Sequence, residues 1–430
     1  MNRWFKLLLL LVAYLPFQVA LNLAPGVDLL SGRLLIPGLF GVFIGARFFR
    51  GRLSAADFFR NRVALVLAAL SFLAALSLTI AANPAWGARK LLVFASIFPL
   101  FWLVTVLVKS EAAAKQLAYV MVAGAGVSAL VALGQFLSQF VIGQEALTSF
   151  WAAKVVPLFS GASFGVLVAS NPSWQVNLAD QTVMRAVGLF PDPHMLSFYL
   201  GLIFPFSLAL FLFERRRRFL WLVVSGLLLI ILLLTFSRGG YLGLAAALLV
   251  LVALGWPRFS QAAKKLLAAS GLLAAALLVL FGAPVLGRLT SSFDLAEGSN
   301  LGRLAVWQES WAVIKDSPLV GVGLGNYPAT VDFSGPYRSA VTSHNLYLDL
   351  WAEIGVLGLA VWFLVIFGAA QCAWRQLKKN PAMALGCLGA LAYFSVHAFF
   401  ETPIFNPTVL AFLMVILGLA STKKSKEDVL

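Results

Sequence analysis

The chain has 430 residues, of which 61% are hydrophobic and only 11% charged, and its mean hydropathy is +0.92. No water-soluble globular domain has this composition. The net charge of +15 needs an explanation other than nucleic-acid binding, because basic and aromatic residues do not interleave as they do in single-strand binders.

Apolar runs of about 20 residues, enough to cross a hydrocarbon core of roughly 30 Å, recur along the chain. They predict an all-α polytopic membrane protein with about 12 transmembrane helices. The spans fall near 5–24, 29–46, 63–82, 90–108, 116–143, 194–213, 219–236, 239–255, 266–286, 345–370, 383–400 and 404–420. A β-barrel would instead show ten-residue alternating segments. The first run has no small-residue cleavage site and is read as a retained span. Cys372 and Cys387 offer neither metal spacing nor a disulfide framework.

The connections between spans divide into two sets. One contains the N-terminus, "ARFFRGRLSAADFFRNR", "KSEAAAK", "ERRRR", "WPRFSQAAKK", "CAWRQLKKN" and the tail, and holds 22 of the 32 basic and 5 of the 17 acidic residues. The other holds 10 basic and 12 acidic residues, so the whole positive excess lies on one side. The positive-inside rule makes that side cytoplasmic, with both termini inside. Two outer segments are long, 144–193 and 287–343, the second being the large extracytoplasmic loop between spans 9 and 10 of a single membrane domain, 1–430. Loops of that length are usually functional. In the second, Asn300 is expected to cap an amphipathic helix with Leu304, Trp307, Trp311 and Ile314 on one face. "DSP" at Asp316–Pro318 ends it. The following "GVGLGN" has no Lys-Ser/Thr behind it, so it reads as a flexible turn, not a phosphate loop.

Basic residues are few on the outer side. Arg185 precedes span 6, Arg238 lies in the short "TFSRGG" turn, Arg288 and Arg303 flank the start of the large loop, and His344 opens span 10. Guanidinium groups match phosphate oxygens in a planar fork. Two or three could hold a diphosphate and stabilise it as a leaving group. A neutral imidazole can take a proton from an attacking hydroxyl near neutral pH, and neighbouring arginines are expected to push its pKa down. The structural readings stay open: an outer Arg can anchor at lipid headgroups, and a histidine at a helix start can be a cap. Within span 10, Asn345, Asp349 and Glu353 share a helix face. Glu353 lies nine residues past His344, about 180° around and roughly 13 Å deeper. It is expected to be buried and structural, with Gly355 and Gly358 allowing close helix approach. His194 is a candidate substrate contact or helix cap. His397, with Glu401 one turn on, is expected to form a structural hydrogen bond.

These residues resemble the O-antigen ligase and O-antigen polymerase superfamily. Its His-Asn pair followed by Leu, Glu and two Gly is matched by His344, Asn345, Leu348, Glu353, Gly355 and Gly358. Its Ser-Arg-Gly turn is matched by Ser237, Arg238 and Gly239, and its Arg-Gly-aromatic element by Arg185, Gly188 and Phe190. Arg303 and Trp307 match its loop helix. Where many members have Pro-Asn, this chain has Pro191, Asp192, Pro193 and His194. The resemblance implies a metal-independent, cofactor-free glycosyltransferase in the bacterial cytoplasmic membrane. The donor would be a glycan on undecaprenyl diphosphate, and the acceptor another glycan, the lipid A core or a protein hydroxyl. Together with the residue chemistry above, it makes His344 the expected catalytic residue, Arg185, Arg238, Arg303 and Arg288 the expected diphosphate ligands, and His194 and Asn345 candidate substrate contacts. A flippase or transporter is the alternative from another class. It should carry charges near mid-membrane and matching broken helices in two halves, and neither is visible.

If Arg238 holds a diphosphate by its fork, Arg238→Lys keeps the charge and still loses most activity. Turnover of the inserted protein, compared with wild type at equal folded concentration, checks this. Near wild-type turnover would make Arg238 an anchor.

Overall fold

The computed structural model describes residues 2–24, 27–51, 61–169, 172–178, 181–281, 287, 298–332 and 342–422. The described residues are overwhelmingly helical. Six helices are long and apolar enough to cross a membrane: Arg62–Thr79, Pro84–Leu107, Glu111–Ile142, Pro193–Phe213, Arg238–Arg258 and Leu346–Gln376. Three more, Arg218–Leu234, Pro381–His397 and Pro407–Ser421, are apolar but shorter.

The first expected span, 5–24, is shorter as a helix than its apolar run. Helix α1 covers Arg3–Tyr14. Leu15–Phe17 then forms a 3-10 turn carrying Pro16, which cannot donate a helical hydrogen bond. The chain continues as an antiparallel hairpin of β1 (Ala20–Ala24) and β2 (Val27–Leu30). Buried Gln18 stabilises the departure: its amide donates to Thr408 Oγ1 at 2.6 Å and accepts from Gly32 N at 3.0 Å. Helix α2 (Gly32–Phe48) follows, then α3 (Arg62–Leu76). The expected span 90–108 begins earlier and bends, as α4 (Pro84–Ile97) and α5 (Pro99–Leu107), because Pro99 interrupts the ladder. Helix α6 (Glu111–Ile142) is the longest described.

The segment 144–193 is built, not structureless. It holds α7 (Gln144–Phe150), α8 (Val156–Phe159), α9 (Ala162–Ala169) and a hairpin of β3 (Gln175–Leu178) with β4 (Gln181–Met184). Two indoles lock it to the chain ahead of the next span: Trp151 donates to Gly188 O at 2.7 Å, and fully buried Trp174 donates to Pro191 O at 3.0 Å.

Helix α10 (Pro193–Phe213) is the centre of the molecule and is buried along nearly all its length. Around it lie α11 (Arg218–Leu234), α12 (Arg238–Gly255), α17 (Pro381–His397) and α18 (Pro407–Ser421); α13 (Gln261–Phe281) is further out. Small residues allow this packing. A Cβ at Gly201 would stand 1.9 Å from the Tyr393 ring.

Helix α14 (Gly298–Asp316) starts two residues before Asn300, so the expected cap residue lies inside the first turn. Its apolar stripe is also split. Ile314 is buried and Trp307 half-buried, whereas Leu304 and Trp311 are exposed. The buried line instead runs through Ser310 and Val313. A short helix, α15 (Tyr327–Val331), follows, and α16 (Leu346–Gln376) carries the histidine segment inward.

Helix α16 contains a break that its apolar pattern does not announce. Gly355 has φ 73° and ψ −179°, a conformation that L side chains avoid. The break frees two carbonyls: Ala352 O accepts from Val322 N at 2.8 Å and Glu353 O from Gly323 N at 2.9 Å. Val356 N donates to Pro318 O at 3.0 Å. The glycine run expected as a flexible turn is therefore docked into the helix break. Gly355 serves this loop and not a neighbouring helix, since a Cβ there would sit 2.0 Å from Leu319 O. Gly358 lies against Ile354 of its own helix.

Gly355→Ala should destabilise the fold. The left-handed backbone alone costs a non-glycine residue about 1–3 kcal/mol, and the contact with Leu319 O adds to it. Thermal unfolding in a membrane mimetic should show a clear fall. Gly45→Ala, where an added Cβ meets nothing within 4 Å, should leave the transition unchanged or raise it.

Candidate functional site

The site grows from the turn between α11 and α12. Phe236 has φ 48°, rare for a bulky residue, and the strained turn presents Ser237 as cap of α12, its Oγ accepting from Gly240 N at 3.3 Å. Arg238 is then the first residue of the helix and is buried. A cation at the positive end of a helix dipole is unfavourable, so the two fields add and favour an anion there. Gly239 is required by close approach: a Cβ would stand 2.7 Å from His397 Cδ2 and 2.8 Å from Phe400 Cβ.

Arg185 joins the same turn. Its Nε donates to Thr235 O at 2.6 Å and its Nη1 to Ser173 O at 2.7 Å. Part of the fork expected on a diphosphate thus holds the outer segment against the turn. Ser237 Oγ also bridges two imidazoles, lying 3.0 Å from His194 Nδ1 and 3.1 Å from His397 Nε2. His397 is fully buried and stacked on Phe198, centroids 3.7 Å apart. Its partner is Ser237 and not Glu401, because α17 ends at His397 and the chain turns away. The helix-cap role open to His194 belongs to Asp192, which accepts from Met195 N at 2.9 Å.

His344 approaches from α16. Its φ is 49°, and it and Phe236 are the non-glycine residues with left-handed backbone among those described. Asn345, expected as a substrate contact, is buried and uses its side-chain oxygen to cap α16, accepting from Tyr347 N at 3.0 Å and Leu348 N at 3.3 Å. Asp349 accepts from Ser343 N at 3.1 Å and from the Thr402 hydroxyl. The His344 ring is half-exposed, and its Nδ1 lies 2.7 Å from Glu401 Oε1. This pairing leaves Nε2 available to a substrate.

Glu401 reverses the expected pKa shift. Its charge and hydrogen bond hold the His344 imidazole above its ordinary value, outweighing burial and Arg303, which act downward. Asp192 is pushed up to about 6, first by burial and then by the Glu401 charge.

Arg303, on α14, is near enough to act electrostatically on His194, His344 and His397. One turn later Trp307 Nε1 donates to Ser343 O at 3.0 Å, which seats the helix beside His344. Arg238 connects to His344 through two sequence neighbours in contact, Gly239 against Phe400 and Glu401 against His344. Arg185, Arg303 and His344 are therefore neighbours around His194, and Arg238 starts the helix whose next residue, Gly239, lies against His397 and Phe400; Arg288 lies outside the described residues.

Behind Glu401 opens a cavity of about 440 Å³, whose wall includes Asp28, Lys90, Asp192, Asp349, Glu353 and Glu401. Glu353, expected to be buried and bonded within the bundle, is buried and paired to Lys90 Nζ at 2.6 Å, with the ammonium 4.1 Å above the Phe405 ring; it also stands in this wall. Among the described residues no three His, Cys, Asp or Glu side chains converge as metal ligands.

Sequence reasoning missed Glu401 as the His344 partner, Lys90 as the Glu353 partner and Ser237 as the histidine bridge. The only signal for Glu401 was an acidic residue in the outer "FFETP" turn.

Residues 223–363 match the sequence profile of the family described as O-antigen ligase. The matched stretch contains Arg238, Arg303, His344 and Glu353. The exopolysaccharide production protein ExoQ of Rhizobium meliloti is 30% identical over 248 residues, 51% of this chain and 54% of that protein. The O-antigen ligase of Salmonella typhimurium is 25% identical over 224 residues, 46% of this chain and 53% of that protein. The chain thus spans about half the length of the curated relatives it matches.

Glu401→Gln keeps the shape and removes the charge that raises the His344 pKa. Wild-type turnover should fall on the acid side at a pH above the ordinary imidazole value of about 6.5, as His344 takes up a proton. In the variant that limb should move to lower pH, and maximal turnover should drop because a weaker base remains. A pH–rate profile of both proteins reads this; an unmoved limb would separate Glu401 from the titrating group.

Proposed function

We propose that this chain, a member of the O-antigen ligase superfamily, is a membrane glycosyltransferase that moves a glycan from undecaprenyl diphosphate to an acceptor hydroxyl. The observation that carries the reading is the His344–Glu401 pair at 2.7 Å, with Arg303 near enough to act on the same imidazole. Neutral His344 accepts the proton of the acceptor hydroxyl at Nε2 as the oxygen attacks the anomeric carbon. The bond from that carbon to the diphosphate oxygen breaks, and charge builds on the leaving diphosphate. Arg238 and Arg303, with the N-terminus of α12, are the groups assigned to stabilise that charge, and Arg185 supports them. Glu401 fixes the imidazole and stabilises the imidazolium that forms, the role of a buried carboxylate behind a catalytic histidine.

The acceptor is assigned to a glycan: a second lipid-linked repeat, as in a polymerase, or the lipid A core, as in a ligase. The names of the two relatives, an exopolysaccharide production protein and an O-antigen ligase, favour these over a protein hydroxyl. The charge division supports twelve spans with both termini cytoplasmic. The cationic turn, the histidines and α14 then face the outer side of the bacterial cytoplasmic membrane, where the lipid-linked glycan is presented.

His344→Ala should lower transfer by roughly 10²–10⁴-fold, the usual contribution of a general base, with insertion and unfolding temperature nearly unchanged because the ring is half-exposed. The assay is release of undecaprenyl diphosphate from a lipid-linked oligosaccharide, with each acceptor class in turn. Substantial turnover in this variant would remove the base assignment.

A further inference from the structure

The cavity behind Glu401 differs in chemistry from the arginine cluster it adjoins. Its volume of about 440 Å³ lies within the range of small-molecule sites, roughly 300–1,000 Å³. Five carboxylates line it, from Asp28, Asp192, Asp349, Glu353 and Glu401, against two cations, Arg33 and Lys90. Lys90 is already paired with Glu353. An anionic group entering this space would meet a negative wall where solvent screening is poor, and like charges repel strongly there. A hydroxyl or ammonium group meets the opposite situation, since carboxylate oxygens accept strong hydrogen bonds from it. Trp86, which is only partly buried, stands in the same lining, a flat apolar surface that suits the C–H face of a sugar ring and excludes water from it.

We propose that this cavity is a sugar subsite that accepts a neutral or amine-bearing residue and rejects uronate and phosphorylated ones. The inference rests on the transfer reading, because Glu401 belongs both to the cavity wall and to the His344 pair. The arginine turn and the cavity thus divide the substrates by charge. The diphosphate goes to the guanidinium side and the uncharged sugar to the carboxylate side. The sugar belongs to the donor glycan or to the acceptor, and the test separates the two.

The full-length protein in nanodiscs is titrated without turnover against three probes: cellotriose, the glucosamine trimer and the galacturonate trimer. Binding is read from Trp86 emission, with Trp86→Phe as the control for the signal. The neutral and amine trimers should change the emission, and the galacturonate trimer should bind at least about tenfold more weakly. Glu353→Gln should narrow that gap by removing one carboxylate and releasing Lys90 towards the uronate. Asp28→Asn gives a second reading should the first variant lose its fold. Equal or tighter uronate binding, no response to any trimer, or a gap unmoved in the folded variants would each overturn the proposal. Preloading with an undecaprenyl diphosphate oligosaccharide assigns the source: competition means the donor sugar occupies the cavity, and simultaneous binding means the acceptor does. Failure of transfer is distinct from failure of the subsite, because trimer binding needs no chemistry. A protein that transfers glycan without binding any trimer sinks the subsite alone.

Discussion

The break of α16 at Gly355 is the constraint on which the His344 end of the molecule depends. Backbone groups in an apolar bundle must find partners, at a cost of several kcal/mol each if they fail. Here the carbonyls of Ala352 and Glu353 accept from Val322 N and Gly323 N of the loop. The loop from Pro318 to Asn326 therefore cannot leave without exposing a broken helix. It is tied on its other side too: Leu324 N donates to Ser77 Oγ at 3.0 Å, and Asn326 Oδ1 accepts from Asn83 N at 2.6 Å. Helix α14 leads straight into this clamp, so Arg303 is held near His344 by hydrogen bonds made well away from either residue.

The same economy operates at the Ser-Arg-Gly turn. One serine hydroxyl caps α12 and bridges two imidazoles, and the following glycine lets α17 come within contact of the helix start. The turn is thereby fixed from α10, α12 and α17 together, the rigid centre of the bundle. A guanidinium placed by such a scaffold needs little reorganisation to meet an anion, which is how fixed charges act most strongly on a developing one. Phe236, which opens the turn, and His344 both have left-handed backbone. Backbone strain of that kind persists where the surroundings over-determine it.

Charge is distributed in two compartments that share a boundary. Arginines and a helix N-terminus lie on one side, and a carboxylate-lined cavity with aromatic walls lies on the other. Glu401 stands between them and is coupled to both, raising the pKa of His344 and of Asp192. A base with a raised pKa is a stronger proton acceptor at neutral pH, at the cost of being partly protonated there. Without Glu401 the arginine side alone would have left a weaker base.

The sequence by itself determined what local chemistry can determine. Apolar run length set the membrane class, and the division of Lys and Arg gave an expected sidedness. The rarity of expected outer cations selected Arg185, Arg238, Arg288, Arg303 and His344, of which Arg185, Arg303 and His344 lie around His194. Tertiary structure decided every pairing. Glu401 is 57 residues from His344, Ser237 is 160 from His397, and Gln18 is 390 from Thr408, and no periodicity connects such positions. Helical pattern also cannot distinguish a glycine that lets helices touch from one that breaks a helix, because both leave the apolar repeat intact. The conformation of Gly355, the shortening of the first helix by Pro16 and Gln18, and the place of Glu353 in a cavity wall all follow from partners brought in by the fold. The partner, and not the residue type, sets whether a buried polar group is structural or available for chemistry.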